Sequence, residues 1–395
     1  MTPRERFLAA MRNEIPDQVP AAPDMSNYIP AKRTGLPFWD IYFLNTVPLW
    51  KAYLNAADHF GIEAWMASCT GAPLTWEPSR ADVRTEHVYR KDIDAMVQKT
   101  TIRTPDGDLT QTSTCMRADP PSPTEKPIKD IARDFRKLKW QLTMPTGLDH
   151  AAWDEMRAAC EQRGQAFGVC IGYPGFQGWC CAVERGVEPL AYAQIDAPEI
   201  LQEWYEIDLA RGTRAMELII AAKPDYILFG GSGTITLASP DLAARYAIPA
   251  LRKWSRMTKA AGIPTMLHSC GKERVLADML AEDTDVNCIN PLEIAPMGDV
   301  DLAELKRARG RRLSLMGNLH TTEVMLRGTA DVVRRKSIEA MRDAGAGGGF
   351  ILSTGDQCGP GTPDANIFAL VEAAHKYGRY DQATGTLPDL PATGA

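Results

Sequence analysis

From about residue 146 onward the chain repeats one local pattern, and that pattern leaves few folds open. A short apolar run reads as a buried strand, a glycine-rich or polar turn closes it, and an amphipathic helix follows. Such runs lie at Ala166 to Ile171, Tyr226 to Phe229, Ile263 to His268, Val286 to Asn290, Leu313 to Met316 and Gly349 to Ser353. Upstream, Gln18 to Ala22 and Ile62 to Met66 read as two further strands. Strands alternating with helices predict parallel pairing through right-handed crossovers. Eight strands, near 19, 63, 167, 227, 265, 287, 314 and 350, with a final helix, predict a (β/α)8 TIM barrel. A doubly wound open sheet is the alternative. No G-x-G-x-x-G follows the first strand, which weakens the dinucleotide-binding version of that fold.

The pattern predicts a single barrel domain over residues 1–380. The first helix has a capping box, with Thr2 before Pro3 and Glu5 three positions on. After the second strand the character changes. Residues 82–115 read as an antiparallel β-hairpin insertion, with a tight turn at Thr104-Pro105-Asp106-Gly107-Asp108. The proline-rich stretch 119–127 reads as an extended connection. The aromatics of residues 30–58, among them Phe38, Trp39, Tyr42 and Trp50, are expected to pack on the core, with a lid as the alternative. The tail from 381 to 395 is rich in Pro, Gly and Thr and is expected to be disordered.

With 45% hydrophobic and 24% charged residues in 395, the composition is that of an ordinary globular protein with a large core. The net charge of -6 comes with no basic cluster, so no nucleic-acid partner is expected. No apolar run reaches the ~18 residues of a membrane span. The first residues carry no apolar signal region, and the nine cysteines are odd in number and mostly in apolar segments. A reducing, cytoplasmic location is the expectation.

In a barrel every turn that follows a strand faces one mouth, where the chemistry is done. The fifth such turn carries His268 and Cys270, two residues apart, and the eighth carries Cys358. Imidazole and thiolate are good zinc ligands, and three protein ligands with an open fourth position are the mark of a catalytic zinc. Cys358 lies among Gly355, Gly359 and Gly361, a loop able to fold over the mouth. The competing reading of Cys270 or Cys358 is a small buried hydrophobe. Two thiolates and a neutral imidazole bring zinc near neutrality. Such a mild Lewis acid suits thiol activation or polarisation of the leaving atom of a methyl donor. Other residues on the same rim, Asp24, Tyr173, Glu293, Asn318 and His320, are candidates for substrate binding. Glu293 and Asp356 are also candidates to support His268 or to supply an oxygen ligand. The remaining seven cysteines read as core or neutral positions.

These residues carry a resemblance. Arg4 to Met11, followed by Pro16-Asp17-Gln18-Val19-Pro20, resembles the start of the uroporphyrinogen decarboxylase superfamily, with Gln18 a departure from its usual arginine. Ser239-Pro240, Ile248-Pro249, Asn290-Pro291-Leu292-Glu293, Gly317-Asn318 and Thr362-Pro363-x-x-Asn366 extend the resemblance over nearly the whole chain. It implies a (β/α)8 barrel. The arginine-rich stretch by which the decarboxylase holds porphyrin carboxylates has no counterpart in Pro23 to Tyr28. The His268-x-Cys270 pair and the distant Cys358 instead resemble the zinc-dependent, corrinoid-linked methyltransferases of the superfamily. That implies zinc on His268, Cys270 and Cys358. It also implies a cobalamin or other corrinoid, free or on a separate partner protein, and a small methylated substrate or thiol. The alternatives are a metal-free decarboxylase and a corrinoid-docking accessory protein.

Overall fold

A computed structural model describes residues 1–388. Six parallel strands run in sequence order around one sheet: Gly168–Gly172, Tyr226–Gly230, Thr265–His268, Cys288–Asn290, Ser314–Leu319 and Phe350–Thr354. Their residues are almost all buried, as expected of strands covered on both faces. Helices separate them, from Pro198–Ala221 through Ile248–Ala260, Arg274–Asp283, Leu302–Arg309 and Ala330–Ala344 to the closing Asp364–Tyr377.

The two remaining barrel positions are filled by irregular, extended chain. Ala21 bridges Leu352 in parallel; the Ala22 N–H donates to Leu352, and the Leu352 N–H to Pro20, each at 2.9 Å. On the other flank of this segment the Glu63 N–H donates to Ala21 at 3.0 Å. Farther along, the Cys170 N–H donates to Thr70 at 3.0 Å, and Gly71 bridges Cys170. The sequence-predicted first and second strands are thus present as barrel staves but make single bridges instead of ladders. The reason is local. Side chains satisfy the second segment: the Ala64 N–H donates to Gln165 Oε1 at 2.8 Å and the Trp65 N–H to the Tyr53 hydroxyl at 3.2 Å. Backbone groups satisfied this way need no neighbouring strand. With these contacts the eight staves make a (β/α)8 barrel.

The insertion is larger than a hairpin. Four antiparallel strands, Asp82–Arg90, Ala95–Thr104, Gly107–Met116 and Ser122–Glu125, lie in sequence order. The expected extended connection therefore supplies the edge strand, where Pro123 costs no ladder bond. Helix Phe38–Tyr42 packs on this sheet, with Phe38 and Trp39 buried beside Cys115. The aromatics of that region are packing residues.

The N-terminal capping box forms as expected, with the Glu5 N–H donating to Thr2 Oγ1 at 3.2 Å and the Thr2 N–H to Glu5 Oε2 at 2.8 Å. Past the closing helix, where a disordered tail was expected, residues up to 388 make an ordered turn. The Gly347 N–H donates to Gly385 at 2.9 Å, and Leu387 packs on the core. The rest of that tail, 389–395, lies outside the described residues.

Glu63 joins the first helix to both irregular staves. Its carboxylate accepts from the Ala21 N–H at 2.7 Å and from Arg6 Nη1 at 2.6 Å, and it is 2% exposed. Removing one partner of a buried ion pair costs about 3 kcal/mol or more. Glu63→Ala is expected to lower the unfolding free energy by that order, measured by urea denaturation followed by circular dichroism; an unchanged midpoint would show that closure does not depend on this carboxylate.

Candidate metal centre and its cavity

His268 and Asn290 end neighbouring strands in parallel register, and Gly230 lies opposite His268 on the other flank. Asn290 Oδ1 is 2.6 Å from His268 Nδ1, while Asn290 Nδ2 donates to the Met316 carbonyl at 3.3 Å, which orients the amide. An amide oxygen only accepts, so Nδ1 donates, and in the neutral imidazole the lone pair is then on Nε2. Nε2 faces Cys270 Sγ at 3.1 Å. Ser232, in the turn after its own strand, lies 3.4 Å from the same sulfur. A third donor comes from the eighth loop: His268, Cys270 and Asp356 each offer one ligand atom within 4.8 Å of the other two.

The loops are built to hold this group. Asp356 sits at φ +120°, a conformation that costs a non-glycine residue about 1–3 kcal/mol. Thr354 Oγ1 donates to its carbonyl at 2.6 Å, and the Gln357 N–H to its carboxylate at 2.8 Å. Gly271, at φ +92°, turns the chain just after Cys270, and a Cβ there would meet Thr236 Oγ1 at 2.2 Å. The Gly271 N–H donates to the Glu293 carboxylate, and the Glu293 N–H in turn donates to Glu273 Oε2 at 3.2 Å. The fifth and sixth loops are laced together by these bonds.

The surroundings are acidic. Burial pushes the Cys270 thiol up, and the Asp356 carboxylate adds to the effect. Burial also raises the Asp24 and Glu293 carboxyls; Asp356 raises both further and His268 opposes. A cavity of about 190 Å3 opens onto the group, lined by His268, Cys270, Asp356, Asp24, Trp65 and Ser68 among others. A larger, mainly apolar cavity of about 500 Å3 adjoins it and shares Cys170 as a wall.

The structure sorts the sequence candidates. His268, Cys270 and Asp24 come together at the smaller cavity. Cys358 does not join them. It is fully buried in the main core, its N–H donates to the Asp24 carbonyl at 2.7 Å, and its thiol has Thr354 and Thr362 as neighbours. Among the described residues the side chain grouped with His268 and Cys270 is that of Asp356, two residues earlier. Glu293 braces Gly271 from outside the cavity lining. Tyr173 lines the larger cavity, with its hydroxyl 2.6 Å from Thr234 Oγ1. Asn318 and His320 line a separate cleft, and His320 Nδ1 caps the next helical turn by accepting from the Thr322 and Glu323 N–H groups. Ser232, Trp65 and Ser68 were not singled out from sequence. Ser232 was legible as part of the turn Gly230-Gly231-Ser232-Gly233; Trp65 and Ser68 gave no signal, lying in or just past an apolar run.

Glu273 is fully buried, accepts from the Leu292 and Glu293 N–H groups, and leaves Oε1 without a partner. Burial holds its carboxyl well above the usual range. Between the unfolded and folded pKa the unfolded chain has released this proton and the folded chain has not, so stability falls as pH rises. The urea midpoint of Glu273→Gln is expected to vary less than that of the wild type from about pH 5 to about pH 8; equal slopes would reject a neutral Glu273.

Residues 196–377 match the family model described as uroporphyrinogen decarboxylase (URO-D). A methylcobamide:CoM methyltransferase from Methanosarcina barkeri is 32% identical over 142 residues, which are 36% of this chain and 38% of that protein. A uroporphyrinogen decarboxylase from Anaeromyxobacter sp. (strain Fw109-5) is 26% identical over 135 residues, 33% of this chain and 35% of that protein. The chain thus matches less than two fifths of the length of either relative. A solved methyltransferase from Methanosarcina mazei superposes with a TM-score of 0.66 at 19% identity, covering 95% of this chain and 99% of that one, a likeness of fold. The resemblance to the uroporphyrinogen decarboxylase superfamily, read first from scattered motifs, holds over residues 196–377.

Proposed function

We propose that this chain is a zinc-dependent methyltransferase that moves a methyl group between a small methylated compound or thiol and the cobalt of a corrinoid, free or on a separate protein. The observation that carries this reading is the half-buried N/S/O donor group of His268, Cys270 and Asp356 at the ends of the barrel strands. That set fits zinc: one neutral imidazole and two ligands that become anions balance a dication. The ligands expected from the sequence and from the resemblance were His268, Cys270 and Cys358; the geometry favours Asp356 in the third place. Zinc bound there supplies a Lewis acid that polarises the heteroatom carrying the methyl group or lowers the pKa of a thiol.

The protein's own residues do the rest. Asn290 fixes the His268 tautomer so that Nε2 faces the cavity, and Ser232 is placed to donate to the Cys270 sulfur. Trp65, whose ring centre is 6.2 Å from that of His268, walls the site against water. The methylcobamide:CoM methyltransferase relative supports the reaction class over the part that matches. The decarboxylase reading is the weaker one. Its substrate carboxylates need cations, and no Lys or Arg lines this cavity among the described residues. Among those residues no helix is long and apolar enough to cross a membrane.

Metal analysis of purified protein is expected to find about one zinc per chain. Cys270→Ala and Asp356→Ala are each expected to lose most of it without unfolding, because the barrel core does not include the metal. Cys358→Ala is expected to keep it. Methyl transfer should require added cobalamin or corrinoid protein. Zinc absent from the wild type, or retained in full by Asp356→Ala, would overturn the site; transfer with no corrinoid present would overturn the reaction class.

A further inference from the structure

Two neighbouring thiols sit on a turn away from the proposed metal centre. Cys180 caps the C-terminal end of the short helix Phe176–Trp179, and Cys181 follows it in the turn. Both sulfurs lie against one carbonyl oxygen, that of Gln177, with Cys180 Sγ at 3.5 Å and Cys181 Sγ at 3.7 Å, so the two side chains turn to the same side of the chain. The nine cysteines all lie within the described residues, and Cys181 alone among them is exposed. Cys180 is half-buried against the cluster that holds Trp179 and Trp204. The turn forms part of the wall of the larger cavity, through Gly178, Trp179 and Ala182.

The surroundings set the two sulfurs apart. Lys126 Nζ donates to the Cys180 carbonyl at 2.8 Å, which holds an ammonium beside the pair. A hydrogen bond from Cys180 lowers the Cys181 thiol, burial opposes it, and Lys126 lowers it further. The same bond, with burial, pushes the Cys180 thiol up. One sulfur is thus accessible and ionises readily, and the other keeps its proton within hydrogen-bond reach of it. An exposed thiolate with a second thiol beside it is the arrangement that undergoes reversible oxidation.

We propose that Cys180 and Cys181 form a peroxide-reactive dithiol, in which Cys181 takes an oxygen from a hydroperoxide and Cys180 closes a disulfide onto it. The Cys181 thiolate, its proton released to water, attacks one peroxide oxygen. An S–O bond forms, the O–O bond breaks, and the leaving alkoxide or hydroxide picks up the released proton. Cys181 is then a sulfenic acid, oxidised by the two electrons that reduced the peroxide. The Cys180 sulfur next attacks the Cys181 sulfur. An S–S bond forms, the S–O bond breaks, and hydroxide leaves with the Cys180 proton as water. In sum, two thiols and one hydroperoxide give one disulfide, one alcohol and one water, or two waters from hydrogen peroxide. Adjacent Cα atoms are about 3.8 Å apart, short of the span of about 4.4–6.8 Å usual for a disulfide. A bond closed over that spacing is strained, so a small thiol reopens it. The pair goes beyond the proposed methyl transfer and does not depend on zinc.

The test treats the full, reduced chain with stoichiometric hydrogen peroxide and follows it by peptide mass spectrometry under non-reducing conditions, with fragment ions locating the change. The expected product is a peptide that has lost one hydrogen from each of Cys180 and Cys181 and regains both with dithiothreitol. Cys180→Ser is expected to stop at a Cys181 sulfenic acid, which dimedone traps; a merely structural Cys180 would leave no such adduct. Cys181→Ser, at an exposed position, is expected to slow oxidation of the remaining thiol about tenfold or more. Lys126→Met, which removes the neighbouring ammonium, is expected to slow oxidation at Cys181 about threefold or more. Circular dichroism melts matching the wild type identify the variants that are folded. A wild type that ends at a Cys181 sulfinic acid, a disulfide from Cys181 to another cysteine or another chain, dimedone on another cysteine ahead of Cys181, or an undiminished rate in Cys181→Ser would overturn the proposal.

Discussion

The parallel register of the strands around residue 268 sets the position of everything at the mouth. Gly230, His268 and Asn290 lie level on three neighbouring strands. That levelling puts the Asn290 amide against the His268 ring and leaves Nε2 aimed at Cys270. A slip of one residue in any of these strands turns its side chains to the other face and would take His268 away from Asn290. Glycine at 230 is part of the same fit, because a Cβ there would meet Cys170 Sγ at 2.4 Å. Cys170 is the wall between the two cavities, so the strand spacing also divides the mouth into a small acidic chamber and a larger apolar one.

Charge is the second constraint. Asp24, Glu293 and Asp356 stand around one imidazole and one thiol, and among the described residues no basic side chain lines the chamber. Burial makes Asp24 and Glu293 harder to ionise, and the Asp356 carboxylate adds to this at both. A protein interior tolerates such a cluster in two ways: by keeping the groups protonated, or by taking up a cation. The lacing of loops through Glu293, Gly271 and Glu273 keeps the group from spreading apart to relieve itself. On the proposed reading, this unrelieved electrostatics is what makes the site receptive to a dication.

Much of the barrel was legible because strand and helix periodicities alternate clearly after residue 146. The first two staves were placed correctly, but their irregularity was not visible. Nothing in the sequence says that Gln165, Tyr53 and Tyr226 satisfy the backbone around residues 62–67 in place of a ladder. His268 and Cys270 were readable because a strand end aims alternate residues the same way. The eighth loop was not readable in that manner. In Asp356-Gln357-Cys358 the spacing alone makes both ends equally plausible ligands, and the choice is made by the backbone. Asp356 takes a rare φ and faces the pair, while Cys358 is turned inward by its N–H bond to Asp24. His320 misled for a similar reason: a histidine just past a strand looks like a rim residue, yet its ring is engaged as a helix cap.

The exchange of Cys358 for Asp356 also changes the chemistry to be expected of the proposed site. A thiolate and a carboxylate carry the same formal charge, so either set neutralises zinc with His268 and Cys270. They differ in how much electron density they give. Sulfur is the softer, stronger donor, and two thiolates leave the metal a weak Lewis acid. One thiolate and one carboxylate leave it a stronger one, better matched to drawing electrons from an ether or hydroxyl oxygen than to keeping a thiol nucleophilic. Metal entry must also displace the proton that burial and Asp356 hold on the Cys270 sulfur, so affinity rises with pH until that thiol is ionised.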